Sequence, residues 1–406
     1  MIIRSITLGV SLPWPPRAEP IAAAGAFLER ATTRYVETGF EVQTTRLALA
    51  PYYEQMGAGH AAALGRAAQE IEAAAQQAGI GYVSLGPVRW PELGGENASA
   101  YAEALAEAIG VTAASFFAIE VANAGGVQFE AVQSAARTIG SNAASTEGGF
   151  GNLRFAALAN CPAGIPFFPA GYHDGSQPGF SIALQSADAV AAAAEGDDSL
   201  ESARSRISQE VESLVERVSL VARDLASRED VSFLGVDRSP APFPTASHSA
   251  ARILEALGVD RFGAPGSLAA AATVTGALRA GSALSGFSGL MLPLLEDSGL
   301  AERAAQGMFS WTELLLYSAV CGTGLDTVPL PGDISEAELA GIILDVAALS
   351  TALGKPLTAR LFPVPGLRAG EQTTFDFPYF ANTVVLPTKG YGASRFIARG
   401  LLHTRA

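Results

Sequence analysis

Ten short β-rich runs alternate with long alanine-rich stretches of helical period, and this alternation limits the fold more than any other feature of the chain. The expected strands lie near residues 2–12, 41–50, 82–88, 113–121, 153–160, 179–186, 231–238, 286–293, 323–329 and 356–364. Helical patterns separate them, clearest at 19–37, 59–78, 97–110, 128–142, 198–228, 248–258 and 336–353. In the last, Leu339, Ile342, Ile343, Val346, Leu349 and Leu353 recur at helical spacing, and Ser335 is placed to cap its start. Strands joined through helices need crossover connections, which makes the class α/β with mainly parallel pairing. Apolar residues are 49% and charged residues only 16% of the 406. Ordinary globular chains carry roughly 25% charged residues, so a sheet covered by helices fits better than an exposed one. Residues 187–200 read as a small, acidic, exposed segment, and 239–247 (SPAPFPTAS) as a proline-fixed loop. Neither marks a boundary between independent domains, so residues 1–406 read as one α/β domain.

Charge and cysteine usage narrow the function. Twenty-six basic and 40 acidic residues give a net charge of −14. Such a chain is repelled by nucleic acid and by anionic membranes, while a local basic pocket for a small anion stays open. Cys161 and Cys321 are the only cysteines. Two cannot build a disulfide framework or a four-cysteine zinc site, which fits a reducing cytoplasm. The N-terminal MIIRSITLGV reads as a strand rather than a leader. No run reaches the roughly 18 apolar residues of a membrane span. The low charge content predicts apolar surface left over for a homodimer.

Four segments carry residues with chemistry. In 147–175, Gly148, Gly149 and Gly151 lead to Asn152 and Arg154, then a buried strand, Cys161, and a Pro/Gly turn ending at His173 and Asp174. Such groups at strand ends can bind and turn over a polar ligand. A lone cysteine also serves as a small buried hydrophobe, and His173 can simply hydrogen-bond its loop. In 318–333, glycines 322 and 324 permit a tight turn. Asp326 then enters a strand, and Asp333 is placed to stabilise a helix start. In 37–46, Arg46 falls on a strand lining the core. A buried arginine needs an anionic partner, either an internal carboxylate or a bound substrate anion. In 236–244, Asp237 and Arg238 end a buried strand, as a pocket rim or as a brace for the proline loop. No GxGxxG, HExxH, GxSxG, Walker A or zinc-type cysteine pair is present. Histidines at 60, 173, 248 and 403 are too few for a polyhistidine metal centre. A hard divalent cation held by Asp and Glu oxygens remains open.

The stretches VQTTRLAL (42–49), GFGNLRFAALANCPAGIPFFPAGYH (149–173), FLGVDRSPAPF (233–243), CGTGLDTVPLPGD (321–333), RLFPVPG (360–366) and SRFIARG (394–400) resemble the uncharacterised "domain of unknown function 711" family. The resemblance implies a fold similar to the ten-stranded α/β barrel of pyruvate formate-lyase and ribonucleotide reductase, with helices outside. It implies no reaction; a lyase follows only by analogy of fold. Glycyl radical enzymes of that fold carry an R-V-S-G-Y-like motif near the C-terminus. Here KGYGASRF (389–396) has Thr388 and Lys389 where Val-Ser belongs, so no glycyl radical is expected. Residues 388–394 should form an exposed loop remote from Cys161.

The sequence therefore points to an enzyme acting on a small polar or anionic metabolite. Arg46, Asn152, Arg154 and Asp237 would bind substrate, with His173 and Asp326 in proton transfer and Cys161 as nucleophile or acid. Residues 46, 154, 173, 237 and 326 should then converge at one end of the barrel. The alternative is a non-catalytic small-ligand-binding or regulatory protein on the same scaffold.

Overall fold

The computed structural model describes residues 2–175, 177–196 and 199–399; His403 and the Gly400 of the SRFIARG stretch lie outside them. The strands are β1 (Ile2–Val10), β2 (Glu41–Val42), β3 (Thr45–Leu49), β4 (Tyr82–Val88), β5 (Ser115–Asn123), β6 (Gly126–Val127), β7 (Phe155–Ala159), β8 (Gly179–Gln185), β9 (Ser232–Asp237), β10 (Gly324–Pro331) and β11 (Leu357–Val364). They form one 11-stranded sheet in the order β10-β11-β7-β5-β4-β3-β1-β8-β9, with the two-residue β2 beside β1 and β6 beside β5. β1, β3, β4, β5 and β7 run parallel to one another. β8 and β9 form a second parallel pair, β10 and β11 a third. Both join the first group antiparallel, at β1/β8 and β7/β11. Helices between consecutive parallel strands supply the crossovers that such pairing requires.

Side chains alternate across the sheet, and the two faces have different jobs. Ile6, Leu8, Leu47, Leu49, Val83, Leu85, Phe117 and Ile119 face the helices and form the main core with residues such as Phe27, Ile71, Leu105 and Ile139. The opposite face presents Ser5, Thr7 and Arg46, joined by Arg4 where the register of β1 shifts between Ile3 and Ser5, and is covered by the loop between β7 and β8. Within that loop Cys161, Ile165 and Ala170 pack on Ala118, Ala156 and Leu158. The Pro166 carbonyl accepts from Ser5 Oγ at 3.2 Å, Thr7 Oγ1 at 3.1 Å and Arg46 Nη1 at 3.3 Å. Inward hydroxyls and a guanidinium on β1 and β3 thus anchor a loop that has no ladder of its own.

Nine of the ten expected runs contain a strand, and the exception has a local cause. In 286–293, Gly286 and Ser288 have φ of 60° and 43°. The Phe287 and Ser288 amides donate to the Asp237 carboxylate at 2.7 and 3.0 Å. Amides engaged by a carboxylate cannot serve a ladder. With the two residues before it, the segment touches both ends of the sheet through isolated bridges, Leu284 to Val236 of β9 and Pro293 to Asp326 of β10.

Residues 187–194, expected as exposed linker, form the helix Ala187–Ala194, with Ala187, Val190, Ala191 and Ala194 buried. Alanine's high helix propensity and that spacing outweigh the acidic flank. Ser335, not Asp333, caps the helix Glu336–Leu353, its side chain accepting from the Glu338 amide. Helices at Ser267–Leu278, Ser298–Ala305 and Trp311–Tyr317 carry no clear period in sequence. Gly390, at φ 74°, sits in an exposed loop whose amide donates to Glu338 Oε1, on the outer helical layer. Cys161 is buried beneath the sheet's opposite face. Among the described residues no helix is long and apolar enough to cross a membrane.

Candidate functional site

On the face away from the helices lies a cavity of about 110 Å³. It draws Arg4 from β1, Arg46 from β3, Tyr82 from β4, Phe116 from β5, Asp326 from β10, and Thr358 and Arg360 from β11. The tip of the inner loop, Phe167–Ala170, forms one wall, and Phe377 and Tyr379 from the C-terminal segment form another. Strands from both ends of the sheet order therefore contribute to one small space.

Two of its arginines sit in opposite circumstances. Arg360 is held between carboxylates: its Nε donates to Asp326 Oδ1 at 2.5 Å and its Nη2 to Glu296 Oε1 at 2.6 Å. Burial works against this guanidinium, but Asp326 and Glu296 outweigh it and raise its pKa above the usual value. Asp326 is itself raised by burial and by the Glu296 charge, with Arg360 opposing. One guanidinium cannot fully balance two buried carboxylates. Arg4 completes the cluster with its Nη2 3.6 Å from Glu296 Oε2.

Arg46 has no carboxylate partner among the described residues. It is only 8% exposed. Its Nε donates to Thr44 Oγ1 at 3.2 Å and its Nη1 to the Pro166 carbonyl. Its guanidinium carbon lies 5.3 Å from the Phe168 ring centre and 5.8 Å from that of Tyr82. These contacts orient the cation without neutralising it. Burial, with Arg4 nearby, pushes its pKa down to about 9. Its Nη2 donates to no described residue. Thr323, which also lines the cavity, has a buried Oγ1 without a hydrogen-bond partner among the described residues.

Of the residues singled out in sequence, only Arg46 and Asp326 meet here, so the expected convergence of five residues on one end does not occur. His173 lies at the other end of β3, its amide donating to the Leu49 carbonyl at 3.0 Å. Three residues of strand, roughly 10 Å, separate that level from Arg46. His173 lines a different cleft of about 650 Å³, with Asp174, Arg279 and Lys355. Asn152 ties β7's approach to the helix Phe129–Ser145, donating to the Ile139 carbonyl and accepting from Asn142. Arg154 reaches the Ile109 carbonyl at 2.7 Å and Thr112 Oγ1 at 3.0 Å, closing the end of the helix Gly95–Gly110. Asp237 accepts from the Ser239, Phe287 and Ser288 amides and braces the turn at 286–288, without an arginine partner among the described residues. Arg238 pairs with Glu212 instead. The Cys161 thiol points at the Ala159 and Leu357 carbonyls at 3.7 and 3.5 Å, and burial raises its pKa. Among the described residues no three His, Cys, Asp or Glu side chains gather where a metal ion could sit.

Sequence reading missed Arg4, Glu296, Arg360 and the aromatic walls. Arg4 and Arg360 carried the signal that found Arg46, a charge inside an apolar strand. Glu296 carried none, since its position depends on the irregular 283–297 connection.

Comparison with known proteins places the chain. The family described as "Uncharacterised ACR (DUF711)" matches residues 1–379. A UPF0210 protein of Desulforudis audaxviator is 31% identical over 427 aligned positions, covering 98% of this chain and 93% of that protein. One from Pyrobaculum arsenaticum is 37% identical over 288 positions, covering 68% of this chain and 62% of the relative's length. One from Methanopyrus kandleri is 30% identical, covering 91% and 87%.

Proposed function

The chain belongs to the DUF711 family, and on that premise we propose that it is an enzyme acting on a small anionic metabolite bound between Arg46 and the inner loop. One observation carries this reading: Arg46 is a buried, oriented guanidinium facing the cavity, and among the described residues it pairs with neither of the lining carboxylates, Glu296 and Asp326, both of which engage Arg360. Retaining such a charge is costly unless an anion completes the site. In this proposal Arg46 binds the anionic group. Asp326 moves a proton, its carboxyl raised by burial and fixed by Arg360. Glu296 and Arg4 hold Arg360 and the cavity rim. His173, Cys161, Asn152, Arg154 and Asp237 serve the scaffold.

The proposal also takes the sheet to close as a ten-stranded α/β barrel, with 283–293 as an irregular tenth member. The bridges from Leu284 and Pro293 to the two end strands support it, as does a cavity shared by β1, β3, β4, β5, β10 and β11.

The test begins with protein purified without added anions, denatured, and its released small molecules identified by mass spectrometry. With the bound molecule in hand, Asp326→Asn should lower turnover at least about 100-fold while affinity stays within about tenfold. Binding without turnover by the wild type would identify the alternative, a non-catalytic ligand-binding protein. Binding indifferent to Arg46→Met would refute both.

A further inference from the structure

We propose that the pocket selects monoanions: compact molecules with one carboxylate and an uncharged, largely apolar body, in preference to dicarboxylates and phosphate dianions. This rests on reading the cavity as an anion site and adds the charge and shape of what it takes. The argument starts from the charged groups lining it, which are Arg4, Arg46, Arg360, Glu296 and Asp326. Three guanidinium groups against two carboxylates leave one positive charge in excess.

That excess resides on Arg46. Arg360 is engaged by Asp326 and Glu296 at 2.5 and 2.6 Å. Arg4 is not a second free cation: its Nη1 donates to Gln43 Oε1 at 3.0 Å, and its Nη2 faces Glu296. Arg46 has Nε and one Nη1 hydrogen committed to Thr44 and Pro166, so its open edge centres on Nη2. One carboxylate fits that edge. The rest of the lining offers a second anionic group no uncommitted cation: it would meet the aromatic and thioether wall of Phe116, Phe168, Phe287 and Met291, neutral hydroxyls such as that of Thr323, or Arg4 and Arg360 with the Glu296 and Asp326 carboxylates that already engage them. The wall cannot solvate a charge, and the carboxylates repel it at short range. The cavity of about 110 Å³ restricts the body to a few heavy atoms.

Isothermal titration of the full chain with propionate, lactate, succinate and inorganic phosphate tests this, at pH 8 and fixed ionic strength. Propionate or lactate should bind at least tenfold more tightly than succinate or phosphate. Glu296→Gln, which removes one repelling charge, should narrow that ratio to below threefold. Wild-type binding of succinate or phosphate as tight as that of the monoanions, lost in Arg46→Met, would overturn the selectivity and leave the anion site standing. A ratio unchanged in Glu296→Gln would overturn the charge argument. If none of the four binds, the selectivity and the anion site both fall.

Discussion

Replacing each of the two buried arginines by methionine separates a structural charge from a ligand-binding one. Arg360→Met removes the cation shared by Asp326 and Glu296. Breaking a buried pair leaves an uncompensated charge, at a cost of about 3–5 kcal/mol. Arg46→Met has the opposite sign. A guanidinium that burial and the nearby Arg4 push down to about 9 carries a cost of roughly 4–5 kcal/mol. Against this, methionine forfeits hydrogen bonds to Thr44 and Pro166, about 1 kcal/mol each, and ring contacts with Phe168 and Tyr82 worth about 0.5–1 kcal/mol. The Pro166 carbonyl keeps Ser5 and Thr7 as donors, so no acceptor is orphaned. The net expectation is an unliganded protein more stable by about 1–2 kcal/mol, from the same principles. Urea midpoints followed by circular dichroism in buffer free of small carboxylates and phosphate, at equal slope, give both numbers. An Arg46→Met protein as destabilised as Arg360→Met would refute the reasoning, because Arg46 would then have an internal counter-charge.

Three further outcomes follow from the same structure. Burial holds the Asp326 carboxyl above its ordinary range, so its contribution to stability is full below the unfolded pKa of about 3.9 and is lost as pH rises through the raised value; thermal midpoints from pH 4 to 8 should show that loss in the wild type and a flatter curve in Asp326→Asn. Gly286 sits at φ 60° and a Cβ there would collide with Asp237 Oδ2, so Gly286→Ala should cost about 3–5 kcal/mol, whereas Gly390→Ala, with open space around it, should cost under about 1.5 kcal/mol in the same unfolding assay. The Cys161 thiol is buried and its pKa raised, so maleimide should fail to label it in native protein and label it in urea; rapid native labelling would contradict its placement.

The fold was largely legible because its signals are local. Alternating runs and alanine-rich periods located nine strand regions and the long helices, and Ser335 was readable as a cap from its place before a helical period. The tenth run was apolar enough for a strand, but its amides answer a carboxylate 50 residues earlier, at Asp237. No window of sequence contains that pairing. The site was legible in part for the same reason. Arg46 and Asp326 stood out as charges inside apolar strands, and one argument, that a buried arginine needs an anion, posed the question the structure addresses. His173, Arg154 and Asn152 were equally conspicuous, yet what they satisfy are backbone carbonyls, a neighbouring amide and a second cleft. Polar residues beside glycines and prolines mark places where a chain must be pinned as readily as places where it reacts. Glu296 and Tyr379 reach the cavity only through tertiary packing, and nothing near them in sequence announces it.

The most direct test of the central claim is a crystal structure of the chain grown with saturating propionate. The account predicts density in the cavity with a carboxylate oxygen about 2.7–2.9 Å from Arg46 Nη2 and the carbon body against Phe168. An empty cavity under saturating propionate, or propionate held only at the outer surface with Arg46 turned to an internal carboxylate, would contradict it.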